Sequence, residues 1–134
     1  MVKVFCDGGS RGNPGPAAVG FVVVQDGEIV LKRSKYLGKA TNNVAEYTAV
    51  ILALQYLRRL QVTKDVHFVM DSQLVVRQLN GEYKVKDENL KKLYLQVKGL
   101  EKRFNEPIDY KWLSRKRNDV ADSLVNIELD KQLL

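Results

Sequence analysis

Four carboxylates stand where folding alone gives little reason for them. Asp7 follows the apolar run VKVFC (2–6) and precedes DGGSRGNPGP, and Asp71 closes the run VHFVM at 66–70. Ligands of open α/β sheets gather outside the carboxyl ends of strands, so two parallel neighbours would set Asp7 beside Asp71. The alternative is a turn former at either position, or a helix N-cap at Asp71-Ser72. Glu46 is followed at i+4, i+7 and i+11 by Val50, Ala53 and Leu57, which places it on the inward face of a helix. A buried glutamate needs compensation, from a metal ion or from an Arg or Lys partner. Asp122 has Ala121, Leu124 and Val125 around it on the inward side of a last helix, and Asn118 projects from the same face as a candidate substrate contact unless it serves only as an N-cap.

Clustered hard oxygen ligands suit Mg²⁺ or Mn²⁺. The single His67 and the single Cys6 cannot build a nitrogen/sulfur zinc site. His67 lies four residues before Asp71 in the same strand, about 13 Å away, and reads as a sheet-face or core residue. Cys6 reads as a buried packing residue. No Ser/His/Asp or Cys/His triad, GxGxxG fingerprint or Walker A loop fits the chain, which leaves metal-assisted hydrolysis.

The elements that must position these groups follow from periodicity. Strands are expected at 2–6, 17–24 and 28–37, the last two joined through Gln25-Asp26-Gly27, a hairpin signal. Four glycines and two prolines in DGGSRGNPGP mark a tight exposed turn after Asp7. Val44, Tyr47, Ile51, Leu54 and Leu57 predict a helix over about 43–60, with its N-cap among Thr41, Asn42 and Asn43. A buried parallel strand at 66–70, helices over about 72–79 and 87–104, a strand at 108–113 and a helix over 118–130 complete an α/β order with a mixed sheet.

The 134 residues suit one domain, 1–134, and the absence of a signal-like start or of an apolar run near the roughly 20 residues that span a bilayer points away from membranes. One cysteine allows no internal disulfide and suggests a cytoplasmic setting. Lys and Arg number 22 against 16 Asp and Glu, a formal charge of +6, which favours polyanionic partners. Two basic clusters stand out, Lys84/Lys86/Lys91/Lys92 and Arg115/Lys116/Arg117, each equally readable as a solvated face.

With these pieces in place, the chain resembles the ribonuclease H type 1 family from its first strand to its last helix. DGGSRGNPGPAAVG (7–20), TNNVAEYTAV (41–50), MDSQLVV (70–76) and RNDVADSLVN (117–126) are similar to the family's four motifs in order, each holding its acidic residue. The resemblance implies the ribonuclease H-like fold: a five-stranded mixed sheet, three antiparallel N-terminal strands plus two parallel ones, with helices on both faces. It implies Asp7, Glu46, Asp71 and Asp122 as joint ligands of two divalent ions, Mg²⁺ or Mn²⁺, and hydrolysis of the RNA strand of an RNA/DNA hybrid. In such two-metal chemistry water is activated at one ion and the departing 3′ oxygen is stabilised at the other, leaving a 5′-phosphate and a 3′-hydroxyl. Positions matching the family's RNA contacts are Gly8, Gly9, Ser10, Arg11, Asn13, Asn42 and Gln73, where glycine would allow close approach to a ribose and its 2′-hydroxyl. The DNA strand is expected near Thr41, Asn43 and Tyr83, and Lys84 is a further candidate substrate contact. Such contacts address sugars and phosphates, so base identity should matter little.

Two departures qualify the match. The loop before the last helix, Ser114-Arg115-Lys116-Arg117, lacks the histidine many members carry there, leaving Arg115 or Lys116 as an electrostatic substitute without a proton shuttle near pH 7. Only one helix fits between Gly81 and Pro107, so the basic protruding helix of some members is expected to be missing, with NGEYKVKDENLKK in its place. No obligate protein partner is evident. Two other readings are a nuclease that also takes double-stranded RNA or RNA–DNA junctions, and a hybrid-binding module with retired catalysis. The intact acidic quartet argues against the second.

Overall fold

A computed structural model describes all 134 residues, and in it the first strand outruns its apolar residues. β1 spans Val2–Ser10, β2 Gly15–Gln25 and β3 Glu28–Ala40, followed by α1 at Asn42–Arg59. β4 (Val66–Met70), α2 (Gln73–Leu79), α3 (Glu88–Glu101), β5 (Asp109–Trp112) and α4 (Asp119–Lys131) follow, with a 3-10 turn at Arg115–Asn118. The sheet order is β3-β2-β1-β4-β5. β3, β2 and β1 pair antiparallel, while β1, β4 and β5 pair parallel, which is the expected mixed sheet.

Alternation along β1 divides the core. Val2, Val4 and Cys6 join the larger cluster with Tyr47, Val50, Leu54 and Leu57 of α1, and α3 packs behind that helix. On the opposite face Ala18 meets Val125 and Leu129 of α4, with Tyr36 beside them. Tyr47, Leu54 and Leu57 have no exposed surface, and such burial contributes about 1.5–3 kcal/mol for each large apolar side chain. The helices start on side-chain caps: Thr41 Oγ1 accepts from Val44 N, Ser72 Oγ from Val75 N, and Asp87 Oδ1 from Leu90 N. Asp26 and Gly27, at φ +52° and +85°, form the hairpin turn their types announce.

The structure corrects three boundaries. Asp7 does not end β1; antiparallel pairing continues through Gly8↔Val19, Gly9↔Ala18 and Ser10↔Ala17, so the turn shrinks to 11–14. β3 continues past residue 37 because β2 offers it partners as far as Gly15↔Ala40. α3 is shorter than the expected 87–104, since Asp87 is its cap and its helical hydrogen bonding ends at Lys102.

Candidate metal centre

The parallel ladder between β1 and β4 stops at Cys6↔Met70, so Asp7 and Asp71 are the next residues on adjacent strands. Glu46 reaches them from the first turns of α1, which lies unusually close to the sheet. A Cβ added at Gly8 would sit 2.3 Å from the Ala45 carbonyl carbon. The opposite face has a matching device at Gly20, the cross-strand partner of Asp7. A Cβ there would lie 2.7 Å from Leu124 Cβ and 2.8 Å from the Ala121 carbonyl oxygen. One glycine on each face therefore lets α1 and α4 bring their acids in. Carboxylate oxygens of Asp7, Glu46 and Asp71 all lie within 4.8 Å of one another. Asp122 stands beside Asp7, outside that tight group of three but near enough to act on its charge.

These acids share too little positive charge. Asp7 is 4% exposed, and its Oδ1 has no hydrogen-bond partner. Burial, and then the charges of Asp71, Asp122 and Glu46, push its pKa up to about 8. Burial likewise raises Glu46 to about 7, against the opposing effects of the Ser72 hydroxyl and the Arg115 charge. The one ion pair in the cluster joins Arg115 Nε to Asp71 Oδ2 at 3.4 Å, and that arginine side chain is 72% exposed. An all-oxygen donor set with an orphaned buried carboxylate oxygen fits a hard divalent cation.

An open cleft of about 370 Å³ is lined by Asp7, Glu46 and Asp122 and takes in Gly8, Gly9, Ser10, Arg11, Asn42 and Arg115. Ser10 donates to Asn42 Oδ1 from its backbone N at 2.8 Å and its hydroxyl at 3.2 Å, and Asn42 N donates to Asn13 Oδ1 at 3.0 Å. The 11–14 turn is thus tied to the start of α1. Arg11 is held at Asp130 Oδ1, 2.6 Å away. Thr41 Oγ1 is engaged as the α1 cap, with Asn43 half-buried in the first turn. Gln73 lies elsewhere, in a shallow depression with Arg77, Asn80 and Trp112. Tyr83 is exposed with the Arg77 guanidinium over its ring, Lys84 is exposed beside it, and Lys116 sits exposed on the 3-10 turn.

Asn118 requires a correction. It occupies the α4 N-cap position without capping through its side chain, and it is 1% exposed. Its Nδ2 donates to the Cys6 carbonyl at 2.7 Å, so it anchors α4 to β1 and is too deeply buried to be the substrate contact expected of it. The N-cap alternative for Asp71 also falls, because Ser72 supplies that cap. His67, half-buried, bonds to Asp65 and Asp109. Sequence reasoning missed Asn126, whose Nδ2 donates to the Asp122 carbonyl at 3.1 Å and to Asp122 Oδ2 at 3.4 Å. The signal was present, since Asn126 follows Asp122 at i+4. It also missed Ser72, whose hydroxyl caps α2 and lies near enough to Glu46 to hold its pKa down against burial.

The comparisons with known proteins agree with this architecture. A family model described as "Reverse transcriptase-like" matches residues 5–127. LC11-RNase H1, solved in complex with an RNA/DNA hybrid, superposes with a TM-score of 0.96 at 38% identity, covering all of both chains. RNase H1 from the halophilic archaeon Halobacterium salinarum superposes with a TM-score of 0.92 at 40% identity, over 97% of this chain and 98% of that one. The chain belongs to the type 1 ribonuclease H family. The "Bifunctional protein Rv2228c" of Mycobacterium tuberculosis is 47% identical over 131 residues, covering 96% of this chain, which spans only 35% of that relative's length. Against the type 1 ribonuclease H pattern, the two departures have definite places. The histidine-free loop is the 3-10 turn carrying Arg115 and Lys116, and α3 is the one helix between α2 and β5.

Proposed function

We propose that this chain is an endoribonuclease, one ribonuclease H domain over 1–134, that hydrolyses the RNA strand of RNA/DNA hybrids to 5′-phosphate and 3′-hydroxyl ends. The observation that carries this reading is the crowding of three carboxylates within 4.8 Å, with a buried oxygen of Asp7 left unpartnered. Asp7, Glu46, Asp71 and Asp122 would hold two divalent ions, Mg²⁺ or Mn²⁺. Bound there, the ions supply water activation and charge stabilisation at the leaving oxygen.

The surrounding residues prepare that centre. Ser72 orients Glu46, and Asn126 orients Asp122. Arg115, paired to Asp71, brings an exposed positive charge to the cleft where a scissile phosphate would enter. Gly8, Gly9 and the Ser10–Asn42–Asn13 connection form a rigid wall for the ribose side of the RNA. Arg11 and Gln73 add polar contacts on that strand, with Thr41, Asn43, Tyr83 and Lys84 on the DNA side. The hybrid bound by LC11-RNase H1 supports this substrate class. No helix is long and apolar enough to cross a membrane, and the lone cysteine is free and buried. A cytoplasmic setting belongs to the same proposal.

Labelled hybrid, double-stranded RNA and double-stranded DNA, each incubated with Mg²⁺ or Mn²⁺, test the reading. Cleavage of the RNA strand of the hybrid is expected, with double-stranded RNA as the arm that reads substrate breadth. Retained binding without cleavage of any of them would mark a binding module instead. Arg115→Ala is expected to slow turnover by about tenfold, the scale of one charge-assisted contact. Unchanged rates in both Arg115→Ala and Lys116→Ala would remove the substitute role of the loop.

A further inference from the structure

Between β3 and α1, on the face away from α4, lies a groove of about 320 Å³ floored by Val19 and Phe21. Arg33 and Lys35 rise from β3 on one side, and Gln55, Tyr56 and Arg59 line the other. It adjoins a second depression lined by Gln55, Arg58 and Arg59. The Tyr56 ring holds two guanidiniums, Arg33 at 5.6 Å and Arg59 at 5.1 Å from its centre, while Phe21 packs against it at 5.5 Å. No carboxylate lines either hollow, and none of the ion pairs of the molecule includes Arg33, Lys35, Arg58 or Arg59. Arg11, Arg77 and Arg115 are each tied to an acid, while Arg103 and Arg117 are unpaired as well but line neither hollow.

Helix-end electrostatics account for Arg58 and Arg59, and cation–π packing accounts for Arg33. Neither explains Lys35, nor why four cations line a concave surface without a counterion. Like charges in a concavity focus a positive potential that a polyanion relieves. Guanidiniums fixed by an aromatic ring are forks suited to phosphate oxygens, and a ring already engaged by two of them is a poor platform for a stacked base.

We infer that this groove is a second nucleic-acid contact, which takes the phosphodiester backbone of the substrate at a distance from the carboxylates. Arg59 lies thirteen residues beyond Glu46 on the same helix, hence about 20 Å away. That separation equals about six base-pair steps, so the Arg58–Arg59 end serves only substrates long enough to extend there from the cleavage point, while Lys35, paired to Val19 and so two strands from Gly8, lies nearer. The inference rests on nucleic acid being the substrate, but not on its cleavage.

The test compares hybrids of about 6 and about 30 base pairs. Their binding is measured without divalent ions over a range of salt, and their cleavage with Mg²⁺. Lys35→Gln/Arg58→Gln removes two charges that do not stack on Tyr56; Arg33→Gln/Arg59→Gln removes the two that do. For the first pair, affinity for the long hybrid is expected to fall about tenfold and the log–log salt slope to become shallower by about 2. Its affinity for the short hybrid should fall less, and its kcat there should match the parent protein. An unchanged slope and affinity on the long hybrid overturns the inference, as does an equal loss on both lengths. Should the stacking pair lower the melting temperature, the first pair alone decides. Cleavage of the long hybrid by the unaltered protein reads the catalytic proposal separately: no cleavage with a length-dependent binding loss retained would leave the groove standing and the catalysis refuted.

Discussion

At the carboxyl ends of the parallel strands Asp7, Glu46, Asp71 and Asp122 crowd together, with one exposed arginine among them. At the amino ends another set of acids, Asp26, Asp65 and Asp109, meets a cation at every turn. The Met1 amino group lies 3.2 Å from Asp65 and 3.5 Å from Asp26, and His67 bridges Asp65 at 2.8 Å and Asp109 at 3.1 Å. The electrostatic consequences are opposite. Asp65 is pulled below the ordinary carboxylate range, first by its bond to His67, while burial lifts Asp7 to about 8. Acidic residues therefore do not mark a metal site by number. What marks it is burial without compensation, which the amino end lacks and the carboxyl end has.

The sharpest way to break this contrast is to neutralise one acid at each end. Asp7→Asn is expected to reduce cleavage by at least about 10³-fold, roughly 4 kcal/mol of barrier. The same change should stabilise the metal-free protein by on the order of 1–3 kcal/mol. The sign follows from the raised value: native Asp7 holds a proton that the unfolded chain releases near pH 4, so stability falls as pH rises from about 4 to about 8. The gain from Asn is accordingly absent below pH 4 and full above 8, as urea unfolding in EDTA would show. Asp65→Asn should do the reverse, leaving cleavage alone and lowering stability. Loss of stability in Asp7→Asn would contradict the picture of an uncompensated charge.

How far this contrast was legible in the sequence depended on whether its cause is local. Asp7 and Asp71 were readable because each follows an apolar strand, and Glu46 because Val50, Ala53 and Leu57 share its face. The extension of β1 to Ser10 was not readable, because glycines break strand propensity and only the partner residues 17–19 override it. Asn118 looked like a cap or a contact, and its bond to Cys6 joins residues 112 apart in the chain. The basic groove has the same character, since Arg33 and Lys35 meet Arg58 and Arg59 only after β3 folds beside α1. The clusters visible as sequence runs lie elsewhere, at 84–92 and 115–117.

Adding the missing charge is the next test. Mg²⁺ or Mn²⁺ at about a hundredfold its Kd should raise folding stability by about 2.7 kcal/mol, read as a higher melting temperature than in EDTA. Asp65→Asn should keep that shift and Asp7→Asn should lose it. A shift that survives Asp7→Asn would place the bound cation away from the carboxyl ends.

A steric change separates the two ends more subtly. Gly20→Ala puts a methyl group against Leu124 and the Ala121 backbone, so α4 must move and carry Asp122 with it. A cost of about 1–3 kcal/mol and a fall in kcat are expected. Gly99→Ala, where nothing lies within 4 Å, should instead stabilise α3 by about 0.5–1 kcal/mol without touching turnover. Equal kcat in the two variants would show that α4 does not position Asp122.

The smallest effect belongs to the amino end. His67 has its pKa raised, first by the bond to Asp65 and then by that to Asp109. Lys3, its cross-strand partner on β1, and the Met1 amino group beside Asp65 oppose that protonation, and Lys111 draws on Asp109 at 3.9 Å. A raised histidine pKa means that the folded state holds the proton longer than the unfolded chain. Its stabilisation is fully present below the unfolded value of 6.5 and disappears as pH rises through the folded value. The depressed pKa of Asp65 gives the other limit, with stability lost as pH falls below the ordinary range near 3.8. Between those limits the bridge is charged on both sides. His67→Gln should therefore cost most near pH about 5.5 and almost nothing near pH about 9, measured as the difference in urea midpoint from the parent protein. A difference that stays flat or grows with pH would show that the imidazole bridges the two acids in its neutral form, and that the amino end is compensated by the terminal amino group alone.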